Sequence, residues 1–322
     1  MPEERRAGRA IVAVFCLAAL AAVPAIAAAA DAPFYVELFA RVMIFAIAAL
    51  SLDFILGYGG MVSFGHSAFL GIGCYAVGIL SFHGIFDGYV HVAAAMVASA
   101  AAALVIGYVS LRTRGVHFIM ITLAFGQMVY FLAESLNQYG GDDGLNIRRP
   151  SDFGAALDLA DPVHLYYLIF AVLLLCLWAG GRVVRSRFGM VLQGARSNER
   201  RMAALGFPVF RYKLAAFVLA GTVCGVAGAL FANLTLFASP AIMHWTRSGE
   251  IMVMVILGGI GTLFGPVLGA AAYLLLESGL SRATEHWQAV LGPLLLLVVL
   301  FSKTGLFGMM AAAVTARRGA RG

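Results

Sequence analysis

Ser63 and His66 stand three positions apart, and His117 lies farther along the chain. A hydroxyl beside an imidazole is the minimum for an activated nucleophile. The surroundings withhold the remainder, because no GxSxG encloses Ser63 and no acid is spaced to orient either histidine. An intramembrane hydrolase therefore lacks its convergent set. Phosphate chemistry fails likewise, since no GxxxxGKS or GxxxxGKT loop is present to cradle a nucleotide. Cys16, Cys74, Cys176 and Cys224 all sit in apolar runs without CxxC or His/Cys spacing, which argues for packing and against a disulfide framework or a metal site. What remains is a set of polar groups inside apolar runs: Asp53, Thr122 and Gln127. An ionisable side chain at membrane depth faces a partner or a wet cavity. Asp53 reads either as a functional group or as a helix-end acid paired with a basic group or water. Thr122 and Gln127 either line a solute path or hydrogen-bond between helices. The chemistry on offer is passage, not turnover.

The elements that must position these groups are membrane helices. Hydrophobic residues make up 62% of the chain, charged residues only 12%, and the mean hydropathy is +0.92, values no water-soluble domain shows. The sequence predicts an all-α integral membrane protein occupying residues 1–322 as one polytopic domain. At about 20 apolar residues per crossing of a core roughly 30 Å thick, there is room for about eight to ten spans. The 37 glycines exceed what plain helical rods need and suit close-packed or broken helices. Charge is concentrated: residues 182–213 hold eight Arg or Lys and one acid, a formal +7 against +6 for the whole chain. Basic segments beside spans stay in the cytoplasm. Topology accounts for the basic residues, and no nucleic-acid partner is expected.

Residues 10–30 form a first apolar run after Arg5, Arg6 and Arg9, expected as a retained span in preference to a signal peptide. Residues 35–56 follow, with Glu37 and Arg41 four apart on one face and expected to pair. Residues 57–66 break the helix ahead of a short run at 67–81. Spans at 91–111 and 115–133 flank Arg112 and Arg114, and residues 137–164, with five Asp against two Arg, suit an external loop. A span at 165–180 leads to the basic loop at 182–213, which holds one short helix from Met190 to Leu205. Runs at 214–236, 248–258, 267–280 and 287–301 complete ten crossings, some of them half-helices, with both termini in the cytoplasm.

Two interruptions look alike. Gly59 and Gly60 lead to Phe64, Gly65 and His66, as Gly258 and Gly259 lead to Phe264, Gly265 and Pro266. They fall in the two candidate halves, about 35–135 and 214–308. Interrupted hydrophobic segments at corresponding places point to an internal repeat and its central pathway, where irregular backbone is tolerated. The pathway candidates are Gly59, Gly60, Ser63, Gly65, His66, Thr122, Gln127, Gly259 and Gly261.

Several stretches together resemble the LivM-type permease subunits of branched-chain amino acid ATP-binding-cassette importers. They are LGYGGMVSFGHSAFLGIGCY at 56–75, GVHFIMITLAFGQM at 115–128, GGDDGL at 140–145, residues 187–199 with AALG at 203–206, YKLAAF at 212–217, and LGGIGTLFGPVLG at 257–269. Met61 stands where the family often has Gln, and Lys303-Thr304 where it often has Pro. The resemblance implies a LivH-like second permease, two cytoplasmic ATPases and a periplasmic substrate-binding protein. ATP and Mg would be held by the ATPases, and this chain would bind no cofactor. It also implies a coupling segment for the ATPases comprising Arg196, Glu199, Ala203, Ala204 and Gly206. Gly141, Asp142 and Asp143 would face the binding protein. Related permeases serve urea, short amides and aromatic acids, so the solute is a family default. A self-sufficient secondary carrier would need its own ion-coupling charges at mid-membrane, and only Asp53 is available.

Overall fold

The computed structural model describes residues 2–154, 158–283, 286, 289–293, 305–310 and 312. Eleven α-helices carry the described chain: α1 (Pro2–Ala29), α2 (Phe34–Asp53), α3 (His66–Phe82), α4 (Gly88–Ser110), α5 (Val116–Ser135), α6 (Pro162–Arg185), α7 (Arg187–Ser197), α8 (Glu199–Ala204), α9 (Val209–Thr235), α10 (Trp245–Gly258) and α11 (Gly265–Ala283). Six helical segments among the described residues are long and apolar enough to cross a membrane: Ala10–Ala29, Phe34–Tyr58, Gly88–Ser110, Val116–Ser135, Pro162–Arg185 and Val209–Thr235. The protein is an all-α integral membrane protein.

The short run expected at 165–180 extends to the 24-residue α6, but those at 67–81 and 248–258 stay short as α3 and α10, with 17 and 14 residues. At ~1.5 Å per residue they reach about 25 and 21 Å, short of a bilayer core. Each adjoins a glycine break. The expected run at 287–301 and the basic tail at Arg317, Arg318 and Arg321 lie largely or wholly outside the described residues.

Helix α2 is the axis of the molecule. Every residue from Val42 to Asp53 is buried, because α6, α9, α10 and α11 pack around it. On α9, Gly225 and Gly228 let α4 and α3 approach closely: a Cβ on Gly225 would overlap the Ser99 side chain, and one on Gly228 the Leu70 carbonyl. Without a hydrophobic driving force between helices in lipid, such small-residue contacts supply packing. Helix α1 joins the bundle through Tyr166, whose hydroxyl donates to the Leu20 carbonyl at 2.6 Å.

The segments between helices sort to two ends. At one end, residues 145–146 (β1) pair antiparallel with 237–238 (β2), matching Leu145 with Ala238 and Asn146 with Phe237. Nearby, Asn233 accepts from the Ser151 amide at 2.7 Å. At the other end lie both breaks, the α4–α5 turn, α7 and α8.

Two expectations are corrected. Residues 182–213 are not one loop with a helix from 190 to 205. Arg182 and Arg185 end α6, and two helices follow, because Ser186 and Asn198 each act as an N-cap. Glu37 and Arg41 do not pair: Arg41 lies over the Phe45 ring at 5.8 Å, and its Nε finds no hydrogen-bond partner.

Candidate functional site

The two breaks meet face to face. Helix α2 ends in a π-helical turn, Phe54–Tyr58, after which the chain runs extended to α3. Single π-turns place backbone groups out of register, frequently at functional sites. A Cβ on Gly57 would lie 2.5 Å from the Gly261 amide nitrogen, so only glycine permits this approach. Gly261 in turn adopts φ +74°, and its N–H donates to Asp53 Oδ1 at 2.8 Å. Asp53, 2% exposed, thus joins the first break to the second.

Arg196 completes the junction from outside. It stands in the last turn of α7, lays its aliphatic stem against Gly60, and donates from its guanidinium to the Gly57 carbonyl. It also lies within charge range of Asp53. The Gly57 carbonyl is thus met by the Arg196 guanidinium and the buried Asp53 side chain by the Gly261 N–H, as non-helical backbone at membrane depth requires. Sequence reasoning put Asp53 and Arg196 in separate regions and did not connect them.

The remaining candidates fall into place around this junction. Gly59 packs 2.7 Å from the Ile55 carbonyl and against Met61, measured to a Cβ placed on it. Ser63 and His66 are both fully buried. His66 Nε2 lies 2.8 Å from Ser51 Oγ, not beside Ser63, and Ser51 itself donates to Ala48. The imidazole thereby ties α2 to the start of α3. Gly65 lies against the Thr122 backbone on α5, and Thr122 Oγ1 accepts from the Phe64 amide at 3.3 Å. Gln127, one turn on, is half-buried with its Nε2 unpartnered. Gly259 takes φ +117°, and Gly305 packs on it from residues 305–310. Ser67 and Ser248 escaped sequence reasoning: Ser248 Oγ accepts from the Ser67 amide at 2.9 Å, so α10 caps the free N-terminus of α3. No spacing signal could reveal a pair 181 positions apart.

Helices α7 and α8 present the surface of this end. Glu199 accepts from Lys213 at 3.0 Å and faces Arg114 at 3.4 Å, which holds α8 between α9 and the α4–α5 turn. Ala203, Ala204 and Gly206 are exposed, with Leu205 at 66% and Phe207 at 37%. Arg200, Arg201 and Arg211 rim this apolar patch. An exposed apolar patch with a polar rim is the form of a docking surface. At the opposite end, Gly141–Asp143 is a 3-10 turn with Gly141 buried and Asp142 and Asp143 exposed. Among the described residues, no three His, Cys, Asp or Glu side chains gather as a metal site requires.

Comparison with known proteins agrees with this architecture. Residues 34–300 match the family described as branched-chain amino acid transport system, permease component. The chain is 28% identical over 297 residues to the high-affinity branched-chain amino acid transport system permease protein LivM of Salmonella typhimurium, covering 85% of this chain and 70% of that one. It is 27% identical over 308 residues to LivM of Escherichia coli, covering 88% and 72%. It is also 26% identical over 222 residues to the L-arabinose ABC transporter permease protein AraH of Azospirillum brasilense, covering 66% and 63%. No solved structure matches the chain.

Proposed function

The chain belongs to the family of branched-chain amino acid transport system permease components, and from that premise we propose that it moves branched-chain amino acids through the cytoplasmic membrane as one permease subunit of an ATP-binding-cassette importer. A LivH-like second permease completes the membrane part. Two cytoplasmic ATPases hold ATP and Mg and hydrolyse the nucleotide, and a periplasmic binding protein delivers the solute. This chain binds no cofactor. Both termini lie in the cytoplasm, with α7, α8 and the two breaks, and the β1–β2 end faces the periplasm.

The observation that supports a mechanism is the reach of Arg196 from α7 to the Gly57 carbonyl. The exposed patch at Ala203, Ala204, Leu205 and Gly206 docks on an ATPase, and Glu199 holds α8 in place for it. When the ATPases close, α7 and α8 move together. Arg196 then pulls on the π-turn at the end of α2, parting Gly57 from Gly261. In the structure that contact is shut, with Ser63 and His66 sealed beneath it. Opening exposes Ser63, His66, Thr122 and Gln127 as polar lining between the two breaks, with Gly59, Gly60, Gly65, Gly259 and Gly261 as the backbone that can part. Asp142 and Asp143 meet the binding protein at the other end.

Uptake in proteoliposomes tests this. The chain is reconstituted with its partner permease, ATPases and binding protein, and offered labelled leucine, isoleucine, valine, urea and an aromatic acid. Leucine, isoleucine or valine uptake that needs both ATP and the binding protein is expected. Flux through this chain alone without ATP would overturn the importer and make Asp53 the centre of a secondary carrier.

A further inference from the structure

Helix α2 carries a second charged site at the end remote from the breaks. Arg41 stands twelve residues before Asp53, roughly 18 Å along the axis. There Glu37 and Arg41 share a cavity of about 290 Å³ with Glu277 and Arg282 of α11, walled by Phe34 and Leu274. Arg282 lies over the Phe34 ring at 4.5 Å. On α10, Arg247 and Glu250 pair at 2.7 Å, and their charges act on Glu277, as does that of Arg41. Three acids and three bases thus gather where α2, α10 and α11 meet. Charges in such helices are costly and mark functional sites or solute paths.

The pairing within this group is incomplete. Arg41 Nε and Glu277 Oε2 are both buried with no hydrogen-bond partner. Both residues also line the cavity, where the rest of the guanidinium and of the carboxyl group is presented. A zwitterion meets both charges at once.

We propose that this niche is an entry subsite for an α-amino acid in its zwitterionic form. The α-carboxylate accepts from the Arg41 guanidinium, the ammonium donates to Glu277, and the aliphatic side chain rests on Phe34 and Leu274. A simple ion would meet only one of the two charges. The six formal charges sum to zero, so the niche exerts no net attraction on an ion or on a charged partner face, while its concave shape suits a small solute. The inference rests on the amino acid reading of the transporter and adds the place where the solute first binds this chain.

The test places a single cysteine at Ser278, which borders the niche, in a variant with the four native cysteines replaced that still takes up leucine. The assembled complex is labelled with a membrane-impermeant, positively charged thiosulfonate. Leucine at roughly ten times its Kd is expected to slow labelling about tenfold. Leucinamide, which lacks the carboxylate, and 4-methylpentanoate, which lacks the amine, are expected to leave the rate unchanged. Adding Glu277→Gln should abolish protection by leucine while labelling persists. Equal protection by all three compounds, or none by leucine, would overturn the proposal. So would labelling of the isolated chain but not of the complex, which would mean that the second permease covers this face. If the wild-type complex takes up no branched-chain amino acid, the transport reading itself fails. If it takes up leucine while Ser278→Cys is unprotected, only the niche fails.

Discussion

The first break, residues 57–65, and the second, residues 258–265, differ at one position: Gly57, Gly59 and Gly65 lie against backbone, as Gly258 does, but Gly60 does not. In the second break backbone meets backbone: a side chain on Gly258 would strike the Gly265 carbonyl, and one on Gly269 the Met254 carbonyl. Thr262 tightens the same elbow by donating to the Gly259 carbonyl at 2.6 Å. In the first break, Gly60 is met only by Arg196, a long side chain arriving from another helix. Peptide groups fixed in a close-packed elbow cannot yield, whereas a side chain with several rotatable bonds can. Similar glycine spacing thus yields one rigid elbow and one with a single adjustable position, Gly60. The adjustable elbow is the one connected to the surface.

Substitutions can break or sharpen this contrast. The largest effect is expected for Gly269→Ala, where the added methyl has no side chain to displace; overpacking of this kind costs about 1–3 kcal/mol or more. Thermal unfolding of the purified permease should show a clear loss, and wild-type stability would remove the rigid elbow. Arg196→Ala comes next and acts on coupling. The permease should insert and assemble, while leucine uptake by the reconstituted complex falls about tenfold, the equivalent of about 1.4 kcal/mol in the transport barrier, with ATP hydrolysis persisting. Arg196→Lys should restore part of the uptake, and full uptake by Arg196→Ala would sever the link between α7 and the break. An effect of the same order belongs to Gly206→Ala. It meets nothing within 4 Å, but its φ of +86° imposes left-handed strain of about 1–2 kcal/mol. A bulky residue there also has room in the free chain, so lost ATPase binding by Gly206→Leu would report the partner surface. Normal binding would remove Gly206 from it. Gly249→Ala, facing only Phe64 at 3.9 Å, is the inert control.

Much of this architecture is legible in the residues. Apolar run lengths place the six long spans to within a few positions, because the bilayer sets their length. Both breaks are visible because glycine pairs interrupt those runs. The basic region is read less well, since counting Arg and Lys locates a side of the membrane and says nothing about where helices end. Arg182 and Arg185 prove to be the last turn of α6, where cations suit the carbonyl end of a helix. The caps Ser186 and Asn198 were available as signals for two helices. Asp53 was marked as unusual by its surroundings. Its partners were beyond reach, because Gly261 and Arg196 are brought to it only by the packing of α7 and α10 around α2. The Ser51–His66 and Ser67–Ser248 pairs are hidden for the same reason. Glu37 and Arg41 show that local spacing can mislead, because α11 brings Glu277 into the same cavity.

The two-residue ladder between Leu145–Asn146 and Phe237–Ala238 bears on the order of biogenesis. Its paired residues are 91 and 93 positions apart, so it cannot close until α6 and α9 have been synthesised and threaded through the bilayer. Contacts of such sequence separation form late, after the entropy of the intervening chain has been overcome. A permease whose synthesis stalls before residue 237 would therefore hold α2 to α5 in the membrane with residues 145–146 unpaired.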